Sequence, residues 1–223
     1  MAGDISTVFF DAGNTLIWID HEFLAGVSGI ADVSVIKNAD KISRVHLNEL
    51  LESKKQIDFG KEYYGGIIHN AGIDGDDAIE IFARIKNAEK IFPIWRKTNL
   101  QARPAVQAIK SLGKRTAVIS NSDGKVAELL NACGLADLFE FIMDSHIEGI
   151  EKPNSEIFLR AARRMNVSPE NCAYIGDIPA IDVEGSKSAG MTPVLYDPLD
   201  AWPNWSRSLR VRNLCELPKV LEL

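Results

Sequence analysis

Apolar residues follow two different rhythms along this chain. Near the amino terminus, Ile5–Phe10 is a β-branched and aromatic run, cut by Asp11-Ala-Gly-Asn-Thr. A short apolar run bounded by turn residues predicts a buried strand that ends in a loop. From there to about Trp95 the spacing is helical. Lys37–Ser53 carries Ile42, Val45, Leu47, Leu50 and Leu51, Phe59–Ala71 carries Tyr63, Tyr64, Ile67 and Ile68, and Asp77–Ile91 carries Ile79, Phe82, Ile85 and Ala88. Asp58 is placed to cap the second of these helices and Gly72 to stop it. No strand reads convincingly between residues 20 and 95.

Beyond Pro104, strands and helices alternate. The pattern predicts helices over Ala105–Leu112, Lys125–Cys133, Pro153–Met165 and Ile181–Ala189, with Pro153 in the first helical position. It predicts strands over Arg115–Ile119, Phe139–Met143, Cys172–Ile175 and Pro193–Tyr196, then a short strand around Val211 and a helix near Leu217–Leu221. Such alternation implies an α/β fold with a doubly wound, Rossmann-like parallel sheet. We expect the α/β core to comprise residues 1–17 and 96–223, and residues 18–95 to form an inserted all-helical domain.

Doubly wound sheets bind ligands beyond the carboxyl ends of their strands. Here those ends carry Asp11, Ser120 and Asp177. Asp11 directly follows the first strand, before a stretch read as flexible enough to fold back over a ligand. Ser120-Asn121 offers a small hydroxyl and backbone N–H groups that suit a phosphate oxygen, and equally suits an ordinary turn. Lys152, beside Pro153, brings a cation able to neutralise a phosphate or offset clustered carboxylates. Gly176-Asp177 ends a strand and Asp182 follows, where it could also cap a helix. Asp11, Asp177 and Asp182 together suit a hard cation such as Mg²⁺, which takes one or two carboxylates, waters and a substrate oxygen.

Composition narrows the partners. The 223 residues carry a formal net charge of −6, which disfavours a general nucleic-acid or anionic-membrane surface. No stretch approaches the ~20 apolar residues of a membrane span, and the short acidic start, Met1–Asp4, lacks the basic flank of a signal peptide. Cys133, Cys172 and Cys215 are odd in number and widely spaced, so reduced thiols and a cytoplasmic location are expected. His46, His69 and His146 read as surface or packing residues, and Trp202 and Trp205 as cover for the sheet edge. His21 lies where the helical insertion begins and is the histidine singled out for substrate contact.

In this order, and at these strand ends, the motifs resemble the four motifs of the haloacid dehalogenase-like hydrolase superfamily. They are Val8-Phe-Phe-Asp11-Ala-Gly-Asn-Thr15-Leu, Val118-Ile-Ser120-Asn, Lys152-Pro, and Gly176-Asp177 with Asp182, followed by Gly185, Ala189 and Gly190. The helical insertion resembles the smaller cap of the phosphoglycolate phosphatase and dehalogenase branch. The resemblance implies a Mg²⁺-dependent hydrolase acting on a small phosphorylated metabolite, with Asp11 as nucleophile and an aspartyl-phosphate intermediate. It implies Mg²⁺ held by Asp11, the Gly13 carbonyl and Asp177, with Asp182 supporting the metal waters or orienting Lys152. Ser120, Asn121 and Lys152 would bind the phosphoryl group.

One departure matters. Phosphatases of this family carry a second aspartate two residues after the nucleophile, as general acid and base; this chain has Gly13. Substrates with acidic leaving groups, a replacement acid such as His21, or a slow or retired phosphatase would each be consistent with that. Metal-independent 2-haloacid dehalogenases also lack the second aspartate and form the alternative reading, against which Gly176-Asp177 favours metal chemistry. A non-catalytic binding module on the same fold is the third.

Overall fold

The computed structural model describes residues 4–53 and 57–223; Met1–Gly3, part of the acidic start, lie outside the described residues. The chain divides into two compact units, Met1–Trp18 with Arg96–Leu223, and Ile19–Trp95.

The first strand, β1 (Thr7–Phe10), is buried at every position. It is followed by β2 (Ile17–Ile19), then by the four helices of the smaller unit, α1 (His21–Val27), α2 (Val33–Glu52), α3 (Phe59–Asn70) and α4 (Gly75–Glu89). The remaining chain runs β3 (Trp95–Thr98), α5 (Ala102–Ser111), β4 (Arg115–Ser120), α6 (Val126–Ala132), β5 (Ile142–Asp144), α7 (Ser145–Glu148), α8 (Ser155–Arg164), β6 (Cys172–Gly176), α9 (Glu184–Ser188), β7 (Thr192–Tyr196), β8 (Leu209–Val211) and α10 (Leu217–Val220). Six strands form one sheet in the order β5-β4-β1-β6-β7-β8, and its five pairings are all parallel. This is the doubly wound arrangement expected from the alternation. β2 and β3 pair separately and carry the two passages of chain between the units.

Parallel strands covered on both faces read as continuous apolar runs, because alternate side chains enter different layers. Phe9, Ile119 and Tyr174 pack with Ile157, Phe158, Ala161 and Ala162 of α8 on one side. Phe10 meets Phe139 edge-on, with ring centroids 6.0 Å apart.

Several boundaries differ from expectation for local reasons. The strand expected over Phe139–Met143 is displaced to Ile142–Asp144, because Ala136–Leu138 forms a 3₁₀ turn and pairing begins only where Val118 meets Ile142. Pro153 does not begin α8: Asn154 does, its side chain accepting from the N–H of Glu156 at 3.0 Å. The helix expected from Ile181 begins earlier, as a wide π turn over Pro179–Val183 that runs into α9. The unpredicted elements α1, β2 and β3 are too short to present a clear period.

The smaller unit has its own core, in which Leu24, Ile36, Leu47, Tyr63, Tyr64, Ile67 and Ile85 are buried together. Side-chain caps from Asp20, Asp32 and Asp58 start three of its helices. Inside it Asp40 is 0% exposed. Its carboxylate accepts from Tyr63 Oη at 2.7 Å, pairs with His21 Nε2 at 2.8 Å and lies 3.3 Å from Arg44 Nε. Burial alone would raise the Asp40 pKa, but Arg44, His21 and Tyr63 together pull it below the usual carboxylate range.

A folded-state pKa below the unfolded value of about 4 adds stability above that pH, and the gain is lost as pH falls through the folded value. We expect the stability of wild-type protein to drop on acidification below about pH 4 more steeply than that of Asp40→Ala. At neutral pH that variant should be destabilised by about 3–5 kcal/mol, because Arg44 is left buried without its carboxylate. Urea unfolding at both pH values measures this, and equal neutral stability of the two proteins would refute it.

Candidate active site

The register of the sheet brings the polar strand ends together. Phe10 pairs with Val118 on one side and Ile175 on the other, so Asp11 emerges between the ends of β4 and β6. Its N–H donates to the Ile175 carbonyl at 2.8 Å, which fixes its backbone. Ser120 ends β4, and Asp177 follows β6. Asp11, Ser120, Lys152, Asp177 and Asp182 are all buried.

Lys152 is the centre of the cluster. It is 4% exposed, and its Nζ lies 2.7 Å from Asp11 Oδ1, 2.7 Å from Asp182 Oδ1 and 2.7 Å from Tyr174 Oη. Its backbone is held by Asn121, whose Oδ1 accepts from the Lys152 N–H at 2.8 Å while its Nδ2 donates to the Lys152 carbonyl at 2.9 Å. Asn121, expected on the phosphoryl group, thus has its amide on the lysine main chain. The loop that carries Asn121 is secured by Asp144, which accepts from the N–H groups of Gly124 and Val126 at 3.0 and 3.3 Å.

Asp182 commits its second oxygen to the N–H of Ile178 at 2.9 Å. The wide turn over Pro179–Val183 swings this side chain back against the end of β6, an arrangement that π turns often serve at functional sites. Gly176 makes room for it: a Cβ there would lie 2.3 Å from Asp182 Cγ. Gly185 plays a similar part for α9, since a Cβ there would lie 2.7 Å from the Phe158 ring and 3.0 Å from Pro153 Cα, beside the lysine.

The segment after Asp11 is not the flexible stretch expected. The N–H groups of Thr15, Leu16 and Ile17 converge on the Ala12 carbonyl, and Gly13 bridges to Ile17. Asn14 adopts φ 52°, a conformation that asparagine tolerates better than most residues.

Burial pushes the Asp11 pKa up to about 6; Lys152 pulls it down, and the neighbouring Asp182 pushes it up. Burial alone would lower the Lys152 pKa, but Asp11 and Asp182 outweigh it and the amine stays charged. Tyr174 is held well above its usual value, by burial first and then by Asp182 and Asp11, so it remains a phenol.

Asp11, Asp177 and Asp182 offer carboxylate oxygens that all lie within 4.8 Å of one another. An all-oxygen, all-carboxylate donor set suits a hard divalent cation. With all three ionised, the three carboxylates and the one ammonium leave two negative charges in excess, which a divalent cation would balance. The residues present therefore fit a metal of the magnesium kind.

Tyr174 is the participant that sequence reasoning missed. It lies inside the apolar run Cys172–Ile175 and reads as core. The available signal was its hydroxyl, which needs a polar partner wherever the ring is fully buried.

Known proteins are similar to this chain in sequence and in fold. Glyceraldehyde 3-phosphate phosphatase of Methanopyrus kandleri is 38% identical over 92 residues, 41% of this chain and 40% of that one. The curated relatives matched first are spanned over only about two fifths of their length, 40–41%. Human N-acylneuraminate-9-phosphatase is 26% identical over 242 residues, covering 98% of this chain and 94% of that one. The fold matches the HAD-hydrolase YfnB of Bacillus subtilis, a structure bound to magnesium, with a TM-score of 0.71 at 20% identity over 99% of this chain and all of that one. The family profile of haloacid dehalogenase-like hydrolases matches residues 5–190. With the motifs gathered at the carboxyl ends of neighbouring strands and that match spanning most of its length, the chain belongs to the haloacid dehalogenase-like hydrolase family.

Proposed function

We propose that this hydrolase is a magnesium-dependent phosphatase for a small phosphorylated metabolite, with Asp11 as its nucleophile. The observation that carries the reading is the buried convergence of Asp11, Asp177 and Asp182, two of which, Asp11 and Asp182, share the Lys152 ammonium. Asp182 has both oxygens committed, to Lys152 and Ile178, so we assign Asp11 and Asp177 as the carboxylate ligands of the metal. The Gly13 carbonyl joins them by family resemblance. Once bound, Mg²⁺ would supply positive charge to the phosphoryl oxygens and keep Asp11 ionised.

The chain's own residues position and stabilise. Asp11 attacks phosphorus and becomes an acyl phosphate, which water then hydrolyses. Lys152 holds the Asp11 carboxylate and takes up charge on the transferring group. Ser120 offers its hydroxyl to a phosphoryl oxygen, and Asn121 serves by fixing the lysine backbone. The helical unit, Ile19–Trp95, acts as the cap that selects the substrate. Free cysteines at Cys133, Cys172 and Cys215 support a cytoplasmic location. No helix among the described residues is long and apolar enough to cross a membrane.

Turnover of p-nitrophenyl phosphate and of N-acylneuraminate 9-phosphate, with Mg²⁺ and with excess EDTA, tests this reading. We expect hydrolysis only with Mg²⁺. Asp11→Asn should lose at least ~10³-fold, since an amide cannot form the covalent intermediate. Mg²⁺ at about 100 times its Kd should stabilise the fold by about 2.7 kcal/mol, read as a rise in melting temperature. Full turnover in EDTA would transfer the assignment to metal-independent dehalogenase chemistry. Hydrolysis of no phosphate ester would leave a binding module.

Gly13 shapes the substrate range. Nothing in the Asp11 loop hands a proton to the leaving oxygen, and such catalysis is worth ~10²–10⁴-fold. His21, the replacement considered from the sequence, has Nε2 on Asp40 within the helical unit, so we assign it no proton transfer. We expect aryl and acyl phosphates to react far faster than alkyl phosphates, with a burst of one product per enzyme before a slow steady state. Gly13→Asp should flatten that dependence. Equal rates on alkyl and aryl esters without a burst would show that another residue supplies the proton.

A further inference from the structure

Tyr174 lies in the middle of β6, 1% exposed and edge-on to Phe158, with ring centroids 4.9 Å apart. Every residue of that strand is buried, so the phenol must find its polar partners inside the protein. A hydroxyl has one hydrogen to give. The 2.9 Å contact with the Ile119 carbonyl on β4 accounts for it, since Asp182 Oδ1 is farther away at 3.3 Å. Its oxygen is then left to accept from Lys152 Nζ at 2.7 Å.

An ammonium has three hydrogens and no acceptor. Those of Lys152 are taken by Asp11 Oδ1, Asp182 Oδ1 and Tyr174 Oη, all at 2.7 Å. Three acceptors in three directions leave Nζ no room to swing. Only one of the three, Asp11, would change its bonding during phosphoryl transfer. We propose that Tyr174 is a positioning residue for this transfer: with Asp182 it anchors two hydrogens of the Lys152 ammonium, so that the third stays aimed at Asp11 and the group that Asp11 attacks. The inference rests on the phosphatase reading for its consequence, though not for the contact itself.

Phenylalanine at this position would fill the same space against Phe158. It would leave one ammonium hydrogen facing the ring, whose centroid is 5.3 Å from Nζ. The lysine could then pivot, and misplacement of a catalytic group by about 1 Å can cost as much as ~10²-fold. With p-nitrophenyl phosphate and Mg²⁺ we expect Tyr174→Phe to lower the rate constant of the p-nitrophenolate burst about 10-fold or more and to change the substrate concentration at its half-maximum by less than about twofold, as for an interaction made mainly in the transition state. Affinity for orthovanadate with Mg²⁺ should weaken by a similar factor.

Two further measurements separate positioning from packing. In a Lys152→Ala background the same Tyr174→Phe change should leave orthovanadate affinity unaltered, because the coupled partner is gone. In wild-type protein the shielded Lys152 ammonium should give its own ¹H–¹⁵N cross-peak, assigned by its loss in Lys152→Ala, with a nuclear Overhauser effect to the Tyr174 ring. That peak should shift or broaden in Tyr174→Phe while the backbone amide spectrum is otherwise kept. The proposal is overturned by a burst rate constant within about twofold of wild type, a difference far below the cost expected of misplacement. It is also overturned by a loss equally large without Lys152, or by an absent Overhauser effect in the wild type, which needs no variant to fold. If the wild type hydrolyses no phosphate ester yet the ammonium peak responds, the phosphatase reading has failed and the role in transfer falls with it, while the contact survives.

Discussion

Lys152 places an ammonium where almost no water reaches it, and an uncompensated charge in such a place costs several kcal/mol even after relaxation. The surroundings are arranged around that cost. β1 brings Asp11, the wide turn after β6 brings Asp182, and β6 itself brings Tyr174. Asn121 pins the lysine backbone from the end of β4, so three neighbouring strands meet at one amine. The absent side chain of Gly176 admits Asp182, and that of Gly185 lets α9 close on Pro153. Each of these features would be a defect elsewhere in a sheet protein. Here each supplies one acceptor or the space for one.

The same compensation leaves the site unfinished. One ammonium does not balance three carboxylates, and Asp11 resists ionisation, its pKa raised to about 6 by burial first and by Asp182 as well, against the pull of Lys152. The helical unit holds a contrasting case. There Asp40 gathers Arg44, His21 and Tyr63 around a single carboxylate, and its pKa falls below the usual range. One cluster is closed by its own partners; the other is a shortfall of positive charge. That difference separates a buried group that holds an element together from one that waits for a ligand.

The alternation of strands and helices, and the polar residues at the ends of β1, β4 and β6, were legible in the sequence because burial on both faces makes parallel strands conspicuous. Asp11, Ser120, Lys152, Asp177 and Asp182 could be picked out as chemistry that packing has no use for. Other features depend on distant parts of the chain. The role of the Asn121 side-chain amide cannot be read locally, because its partner, the main chain of Lys152, lies 31 residues on. Tyr174 reads as core because its ring is core, and only its hydroxyl differs. The three-residue strand β2 and the largely polar strand β3 offer no period to detect. The turn at Pro179–Val183 looks like the start of an ordinary helix, because what widens it is the return of Asp182 to the N–H of Ile178.

The position of β1 at the centre of the sheet bears on how the protein is made. Its register partners are far away in sequence: Thr7 pairs with Arg115 and with Cys172, 108 and 165 residues later. On the ribosome, the apolar strand that leads into Asp11 emerges well before its partners and has no native neighbour in the sheet until β4 and β6 have followed. The helical unit between them carries its own apolar core and can form in the meantime. Non-local parallel pairing of this kind is slow and leaves strand edges exposed to aggregation. The arrangement that delivers Asp11 to the middle of the sheet therefore makes a strand synthesised before all its partners one of the last to be secured.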